Sequence, residues 1–297
     1  MVKDSLPKIK INDNKITRIK KNVLVAQHED KKYIIKKKRK RLGEKFRYYN
    51  EVRFYDALNK GRLKFLNVAN AFKDEETENL VLEFIFEDVN NKTIDKLDFV
   101  KAYQELQFIN NKNSLLLDLY NQIFRSYNKI LLVSLFTISR KVNWQSTFKI
   151  FKTYTSLYLS EVGFNKKYWV HGDLHLQNYF YDINGKLYFI DFENTFYTTK
   201  WPLVELISNS IIYTNKIEFN NSYLNVYFKN LPADSELWNI DLYKQCRFAV
   251  ISHSIAVIAQ TKWPGKKKDF IDLLNIGLDK KRMRVWYNEN IKLAVFP

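Results

Sequence analysis

The chain has 297 residues, of which 46% are hydrophobic, and a formal net charge of +17. This length and apolar content allow one large domain or two lobes, and they exclude an intrinsically disordered protein. The charge favours polyanionic partners such as nucleotides, acidic glycans, acidic lipid or nucleic acid, although a lysine-rich coding bias that keeps the surface soluble explains it equally well.

The apolar runs and the single cysteine indicate where in the cell the protein is expected. The longest nearly apolar run, residues 130–138, is too short to span a bilayer, and the segment MVKDSLPKIK lacks the apolar core of a signal peptide. Cys246 is the single cysteine, and we interpret it as a small buried hydrophobe rather than a nucleophile. We therefore expect a cytoplasmic protein, and we leave open peripheral contact with the inner face of an anionic membrane.

The first 88 residues have the pattern of a small β lobe with one helix. Residues 1–14 are polar, and we expect them to form a flexible, poorly ordered N-terminus. From Lys15, short apolar alternations predict strands and one helical spacing predicts a helix. In chain order these are strands at 16–19, 23–25 and 33–35, a helix at 44–58, and strands at 65–72 and 80–86. The predicted order is therefore β-β-β-α-β-β over an N-lobe of residues 15–88.

Beyond residue 88 the apolar spacing becomes mainly helical. Predicted helices cover 95–109, 115–132, 144–159, 203–213, 242–260 and 268–276, and short strands cover 168–170, 179–181 and 187–190. The dipeptide Asn184-Gly185 predicts a tight hairpin between the last two strands. The fold class is thus α+β, with a mainly helical C-lobe over residues 89–297.

The segment from Tyr168 to Glu193 concentrates residues suited to phosphoryl transfer. HGDLHLQN contains Asp173 and Asn178, and IDFE places Asp191 thirteen residues after Asn178. One carboxylate can orient a hydroxyl, while an amide and a second carboxylate supply the hard oxygen ligands that Mg²⁺ prefers. Asp173 alone would more commonly cap a turn, but the joint spacing of the three residues favours a site.

The two motifs, with a hairpin between them and the β-β-β-α-β-β lobe upstream, resemble the protein-kinase-like fold. They are most similar to its small-molecule branch, which contains aminoglycoside phosphotransferases, choline and ethanolamine kinases, and lipopolysaccharide-core sugar kinases. The resemblance extends over residues 15–280 in element order and over residues 168–193 in motif. It implies a bilobal fold and an ATP- and Mg²⁺-dependent kinase that transfers the γ-phosphate to a hydroxyl.

The resemblance also implies a role for individual residues. Asp173 takes the place of the catalytic aspartate that accepts the proton of the substrate hydroxyl. Asn178 and Asp191 take the places of the metal ligands. Lys36 in YIIK resembles the strand lysine that contacts the inner phosphates, and Glu51 of the predicted helix would hold it in an ion pair. Without the resemblance, Lys36 and Glu51 would more commonly be ordinary surface charges.

Further residues complete this interpretation. Glu83 to Ile85 in LVLEFIF resembles the hinge whose backbone meets the adenine edge, so Glu83 and Ile85 join the expected nucleotide site. His171 and His175 have the spacing of a metal pair, but the flanking strands argue against the helix that such a pair requires. We interpret His171 as a structural loop residue and His175 as a neighbour of phosphate or magnesium.

Departures from the family pattern narrow the expected substrate. The turn between the first two strands carries Lys20, Lys21 and Asn22 in place of the glycines of protein kinases. Glu193 ends the metal motif, as in choline-kinase-like members, and no activation segment of protein-kinase length follows. The stretch around Trp201 is similar to the lipopolysaccharide kinases and lacks the aspartate usual in antibiotic and choline kinases. A peptide substrate is therefore not expected.

Three functions stay open at this point. The favoured one is a kinase for a small-molecule or glycan acceptor that is acidic or lipid-linked, such as a sugar of lipopolysaccharide-core type. Aminoglycoside or choline-like acceptors come next, because an acidic cluster within residues 75–88 could receive a cation. A catalytically inactive kinase-like module that binds nucleotide or an anionic partner is the alternative. Nucleic-acid binding through the ten Lys or Arg between Lys31 and Arg47 is supported by no motif.

Overall fold

The computed structural model describes residues 7–10, 16–20, 23–28, 30–38, 42–58, 63–88, 93–109, 144–160, 168–174, 177–213, 216–260 and 264–291. The chain divides into two compact units, one comprising Met1–Leu117 and His171–Phe196, the other Asp118–Val170 and Tyr197–Pro297. Both candidate motifs therefore belong to the first unit, together with the predicted strand lysine. The predicted division into lobes at residue 88 stays a prediction.

The first unit is built on a six-stranded sheet with strand order β1-β5-β6-β4-β3-β2. Its strands are β1 (Lys8–Ile9), β2 (Ile16–Lys20), β3 (Val23–His28), β4 (Lys31–Lys36), β5 (Ala71–Asp74) and β6 (Leu80–Glu83). The pairing is antiparallel except between β1 and β5. The meander β2-β3-β4 confirms the three predicted strands. Lys8 and Ile9 do not fit the prediction of a poorly ordered segment over residues 1–14, because they pair with Lys73 and Asp74.

A hydrophobic core lies on one face of this six-stranded sheet. Ala26, Tyr33, Ile35 and Val81 are buried together, and Ile9, Leu24 and Phe72 pack against them. Alternation along β4 places Tyr33 and Ile35 on this buried face, as expected for a half-buried strand.

The described residues of the first unit also form two α-helices, α1 (Leu42–Leu58) and α2 (Lys96–Gln107). The predicted helices at 44–58 and 95–109 are thus confirmed to within two residues at each end. The Asp95 side chain caps α2 by accepting from the backbone N–H groups of Leu97 and Asp98. On α1, Val52 and Phe54 are fully buried.

The predicted strand at 65–72 is wrong in position, since β5 begins only at Ala71. The carboxylate of Glu105 accepts from the successive backbone N–H groups of residues 64–66, at 2.5–2.7 Å. Asn67 then pairs with the strand at Leu187–Phe189. The amides of residues 64–67 are therefore occupied by contacts distant in sequence, and the ladder starts after them.

The predicted strand at 80–86 is too long, because β6 ends at Glu83. Residues 84–88 instead approach the hairpin formed by β8 (Tyr179–Tyr181) and β9 (Leu187–Phe189). Asp88 N–H donates to Tyr181 O and Ile183 N–H donates to Phe86 O. The hairpin confirms the predicted strands, and Gly185 at its tip has φ = 72°.

The second unit is mainly helical among its described residues. Its helices are α3 (Trp144–Ser160), α4 (Val204–Ser210), α5 (Ser222–Lys229), α6 (Leu242–Gln260), α7 (Pro264–Leu278) and α8 (Lys280–Asn290). Its strands are β7 (Tyr168–Val170), β11 (Ile211–Tyr213) and β12 (Ile217–Phe219), and β10 (Phe196–Thr198) begins at the last residue of the first unit. The predictions for α3, α6 and β7 are confirmed, and α7 is longer than predicted.

The predicted helix at 203–213 is wrong in its last three residues. Ile211–Tyr213 pairs with β12 as an antiparallel strand. Helices α5 and α8 were not predicted, and the predicted helix at 115–132 lies outside the described residues. None of the helices in the described ranges is long and apolar enough to span a bilayer.

Candidate active site

Lys36 is the centre of a three-residue ion cluster in the first unit. Its Nζ lies 2.6 Å from Glu51 Oε1 and 2.8 Å from Asp191 Oδ1. The Glu51 side chain is 3% exposed, that of Lys36 16% and that of Asp191 40%. The structure thus brings together three residues that are far apart in sequence, and it leaves Asp191 as the member most open to solvent.

Local structure explains how Lys36 meets both carboxylates. Lys36 is the last residue of β4, with side chains alternating along the strand. Glu51 lies within α1 and is itself buried, in a helix that also buries Val52 and Tyr55, where an unpaired carboxylate would be costly. Burial alone would lower the pKa of Lys36, but the nearby carboxylates of Glu51 and Asp191 outweigh it and raise that pKa above its usual value. Lys36 is therefore held as an ammonium ion.

Asp191 is presented by an unusual backbone conformation. It has φ = 62° and directly precedes a short 3₁₀ turn, Phe192–Asn194. A non-glycine residue in this left-handed region is uncommon and typically costs about 1 kcal/mol or more. The preceding residue is fixed on both sides: Ile190 N–H donates to Asn178 O at 2.9 Å, and His171 Nε2–H donates to Ile190 O at 2.8 Å. His171 is buried, in agreement with its interpretation as a structural loop residue.

The 3₁₀ turn is packed against α1 through aromatic rings. Phe192 stacks on Phe54, with ring centroids 4.0 Å apart, and meets Tyr55 edge-on at 5.7 Å. The Asn50 side-chain amide donates to the carbonyl of Thr195, just after the turn. Burial, followed by the charges of Glu51 and Asp191, raises the pKa of the Tyr55 hydroxyl well above its usual value. Tyr55 is therefore a neutral residue beside the ion cluster.

The loop that carries Asp173 is hydrogen-bonded to the same 3₁₀ turn. Asn178 Nδ2 donates to Asp173 O at 2.7 Å, which joins the two residues directly. Asn194 Nδ2 donates to Asp173 Oδ2 at 3.3 Å. Asn178 is buried, whereas Asp173 is partly exposed. His175 lies outside the described residues.

Asn178 and Asp191 have the donor chemistry that magnesium requires. The register of β8 and β9 pairs Tyr179 with Phe189, so Asn178 faces Ile190 and Asp191 follows directly. Mg²⁺ is commonly held by one or two protein oxygen ligands together with substrate phosphates and water. This carboxylate and amide at one hairpin end fit such a site. The described residues contain no cluster of three or more His, Cys, Asp or Glu that would suggest an all-protein metal cage.

The expected hinge lies just after β6. The Glu83 side chain bonds Asn70 and pairs with Lys31. Burial alone would raise the pKa of Glu83, but these two partners outweigh it and lower that pKa. Phe84 N–H donates to Lys32 O, whereas Ile85 forms no backbone hydrogen bond to another described residue. The Ile85 backbone is therefore available for a ligand edge, and the Glu83 side chain is committed to the sheet.

Sequence reasoning missed several residues that shape this site. Asn194, Asn50 and Phe54 each contact the loop or turn that carries Asp173 or Asp191. Periodicity marks Phe54 only as part of an apolar helix face. Nothing in the motif spacing distinguishes Asn50 or Asn194 from a surface asparagine. Residues 21 and 22, in the basic turn between the first two strands, lie outside the described residues.

By sequence, neither a protein-family model nor a curated protein matches the chain. Comparison by structure is informative. The complex of APH(2")-IIa with streptomycin and ATP matches with a TM-score of 0.58 and 14% identity, over 89% of this chain and 92% of that chain.

Two named kinases match in the same way. Choline kinase LicA from Streptococcus pneumoniae has a TM-score of 0.53 and 14% identity, over 91% of this chain and 94% of that chain. The ethanolamine kinase of Plasmodium vivax has a TM-score of 0.55 and 13% identity, over 91% of this chain and 82% of that chain. These likenesses confirm the predicted α+β fold class: the chain has the protein-kinase-like fold of small-molecule kinases.

Proposed function

We propose that the protein is an ATP- and Mg²⁺-dependent phosphotransferase that acts on a hydroxyl of a small molecule or glycan. The observation that carries this proposal is the ion cluster, in which Lys36 joins Glu51 and Asp191. A partly buried lysine of fixed charge beside a solvent-open aspartate is suited to hold nucleotide phosphates and their metal. The structural neighbours, which include a choline kinase, an ethanolamine kinase and a complex with streptomycin and ATP, support the same chemistry.

In this proposal each residue has one task. Asp173 orients the acceptor hydroxyl, whose oxygen forms a bond to the γ-phosphorus while the bond from that phosphorus to the β,γ-bridging oxygen breaks. The bonding electrons leave with ADP, and the hydroxyl proton passes to Asp173. Lys36 contacts the inner phosphates, Glu51 holds Lys36 in place, and the backbone near Ile85 meets the adenine. Mg²⁺, held by Asn178 and Asp191, would neutralise charge that develops on the phosphates.

An acidic acceptor is the finer part of the proposal. The net charge of +17 supports a phosphorylated or lipid-linked saccharide over a polycation. Part of the charge of the acidic cluster within residues 75–88 is offset, because Glu76 pairs with Lys10 and Glu78 with Lys38. Helix α8 adds four exposed basic residues, Lys280, Lys281, Arg282 and Arg284. These features also support peripheral contact with an anionic membrane surface, where a lipid-linked acceptor would be found.

The test is steady-state ATP turnover with and without Mg²⁺ in wild type, Asp173→Asn and Asp191→Asn. We expect metal-dependent turnover in wild type and a loss of about 100-fold or more in Asp173→Asn, because general-base contributions are typically of that size. ATP should still raise the melting temperature of Asp173→Asn but should do so much less in Asp191→Asn. The control is Asp234→Asn, which changes an exposed aspartate of the second unit. Nucleotide binding without any turnover in wild type would instead favour a catalytically inactive binding module.

A further inference from the structure

The side chain of Asn194 is directed at the carboxylate that the proposed reaction uses. Its Nδ2 donates to Asp173 Oδ2 at 3.3 Å, although the two residues are 21 positions apart. This is the one side-chain hydrogen bond that Asn194 makes to another described residue. The separation is slightly long for such a bond, and hydrogen bonds at catalytic groups commonly shorten once substrate is present. The contact therefore links the metal-site turn to the catalytic loop.

The backbone at Gly172 fixes this approach. Gly172 has φ = 81°, and a Cβ atom built there would lie 2.1 Å from the backbone oxygen of Asn194. The chain at Asn194 thus occupies the space that any side chain at residue 172 would need. Because Asp173 follows Gly172 directly, this close approach brings its carboxylate within reach of the Asn194 amide.

Packing holds the Asn194 end rigidly. Asn194 is the last residue of the 3₁₀ turn, whose Phe192 is fully buried against Phe54. The next residue, Thr195, is buried and bonded through its hydroxyl to Phe192 O at 2.6 Å, while Asn50 donates to its carbonyl. A donor built on such a fixed turn can hold a carboxylate in one rotamer, which a donor on a loose loop could not do.

We propose that Asn194 is a positioning residue, which orients the Asp173 carboxylate toward the acceptor hydroxyl. This inference rests on the proposed phosphotransferase function and adds a group to it. Asp173 Oδ2 accepts from the Asn194 amide, and this hydrogen bond fixes the plane of the carboxylate that meets the substrate hydroxyl. An amide suits this task because it donates without bringing a charge near the transferred phosphoryl group.

Two substitutions separate orientation from simple packing. Asn194→Leu keeps a similar volume and removes the donor. Asn194→His keeps an N–H donor at Nδ1, the same number of bonds from Cα as the Asn amide nitrogen, but adds bulk. If Asn194 orients Asp173, the histidine variant retains more activity than the leucine variant. If Asn194 merely fills space, the bulkier histidine is the more damaging change.

The experiment measures kcat, the KM for ATP and ATP binding by thermal shift in wild type and both variants. We expect Asn194→Leu to lower kcat by about 10- to 100-fold, a part of what a general base contributes, with the KM for ATP and the ATP-induced thermal shift unchanged. In the Asp173→Asn background the same substitution should lower kcat by less than about 2-fold, because residues that act as a unit are not additive. Asn275→Leu, at an exposed position of α7, is the matched control.

The outcomes distinguish the two proposals. A wild-type kcat in Asn194→Leu, or an equal loss in both backgrounds, overturns the positioning role and leaves the phosphotransferase proposal standing. Lower activity in the histidine than in the leucine variant also overturns it. Absence of metal-dependent turnover in the wild-type protein overturns both proposals. If Asn194→Leu does not fold, Asn194→His takes its place: the factor by which it changes kcat is measured once with Asp173 present and once in Asp173→Asn. Equal factors in the two backgrounds would show that Asn194 does not act through Asp173 and would overturn the positioning role.

Discussion

Lys36 is held between two carboxylates, and the contribution of Glu51 to this cluster can be measured directly. In Glu51→Gln the amide oxygen still accepts from Lys36 Nζ, but the charge is lost from a site that is 3% exposed. We expect the free energy of unfolding to fall by about 1–2 kcal/mol, the difference between a charged and a neutral hydrogen bond. Urea denaturation measures it. The matched control, Glu78→Gln in the exposed pair with Lys38, should show no measurable change.

Wild type and Glu51→Gln should also differ in how their stability depends on pH. The pKa of Lys36 is higher in the folded state than in the unfolded chain, because burial is outweighed by Glu51 and Asp191. The stabilisation is therefore complete below the unfolded lysine pKa, about 10.4, and it is lost as the pH rises toward the folded value. The unfolded-state pKa of the lysine is the same in wild type and Glu51→Gln, so their difference in unfolding free energy should stay level from about pH 7 upward and narrow only once Lys36 of the folded Glu51→Gln variant loses its proton. A difference that widens there would contradict this assignment.

At the scale of single residues, the sequence was informative where a motif ties a residue type to a chemical task. Lys36 and Glu51 were predicted as an ion pair, and they form one in the structure. Asp191 was predicted as a metal ligand, and its contact with Lys36 is an addition from the structure. Asn194 was not predicted, because its contact with Asp173 depends on the close approach at Gly172. Such an approach is a property of two folded loops, and no local pattern encodes it.

At the scale of elements, two glycines with positive φ make a matched pair for experiment. Gly172 (φ = 81°) faces the Asn194 carbonyl, whereas at Gly185 (φ = 72°), on the hairpin tip, an added Cβ would have no atom within 4 Å. Gly185→Ala should cost only the backbone strain, about 1–2 kcal/mol. Gly172→Ala should cost more than about 3 kcal/mol, because the loop that carries Asp173 must separate from the 3₁₀ turn.

Thermal denaturation of both alanine variants measures this difference, and ATP turnover provides a second reading. Gly185→Ala should retain wild-type turnover, and Gly172→Ala should lose it even at temperatures where the variant stays folded. Equal stability losses in the two variants would mean that the contact at Asn194 O does not constrain the loop.

Elements with regular apolar spacing were predictable, and elements shaped by distant contacts were not. The meander β2-β3-β4 and helices α1 and α6 have sequence patterns that match their structures. Strand β5 starts later than its apolar residues suggest, because Glu105 takes three amides of the preceding segment. The end of the predicted helix at 203–213 is a strand because β12 supplies partners for it. In both cases the deciding hydrogen bonds come from residues outside the local window.

At the scale of the whole molecule, the net charge of +17 predicts how acceptor choice depends on salt. Attraction between exposed opposite charges weakens as ionic strength rises, because the Debye length falls from about 10 Å at 0.1 M to about 3 Å at 1 M. At saturating ATP, we expect kcat/KM for a phosphorylated sugar to fall by roughly 3- to 10-fold between about 50 and 500 mM salt. For a cationic aminoglycoside it should rise or stay level. The reverse pattern would contradict an acidic acceptor.

The fold and the ion cluster together carry the proposed phosphotransferase function, and the most direct test is transfer of the γ-phosphoryl group itself. ATP labelled with ³²P at the γ-position is incubated with Mg²⁺, the wild-type protein and, separately, a phosphorylated sugar, a lipid-linked saccharide, choline and an aminoglycoside. We predict label on a hydroxyl of at least one acceptor, with transfer reduced by about 100-fold or more in Asp173→Asn. Equal transfer by wild type and Asp173→Asn, or transfer to none of the acceptors and to water alone, would contradict the proposed reaction.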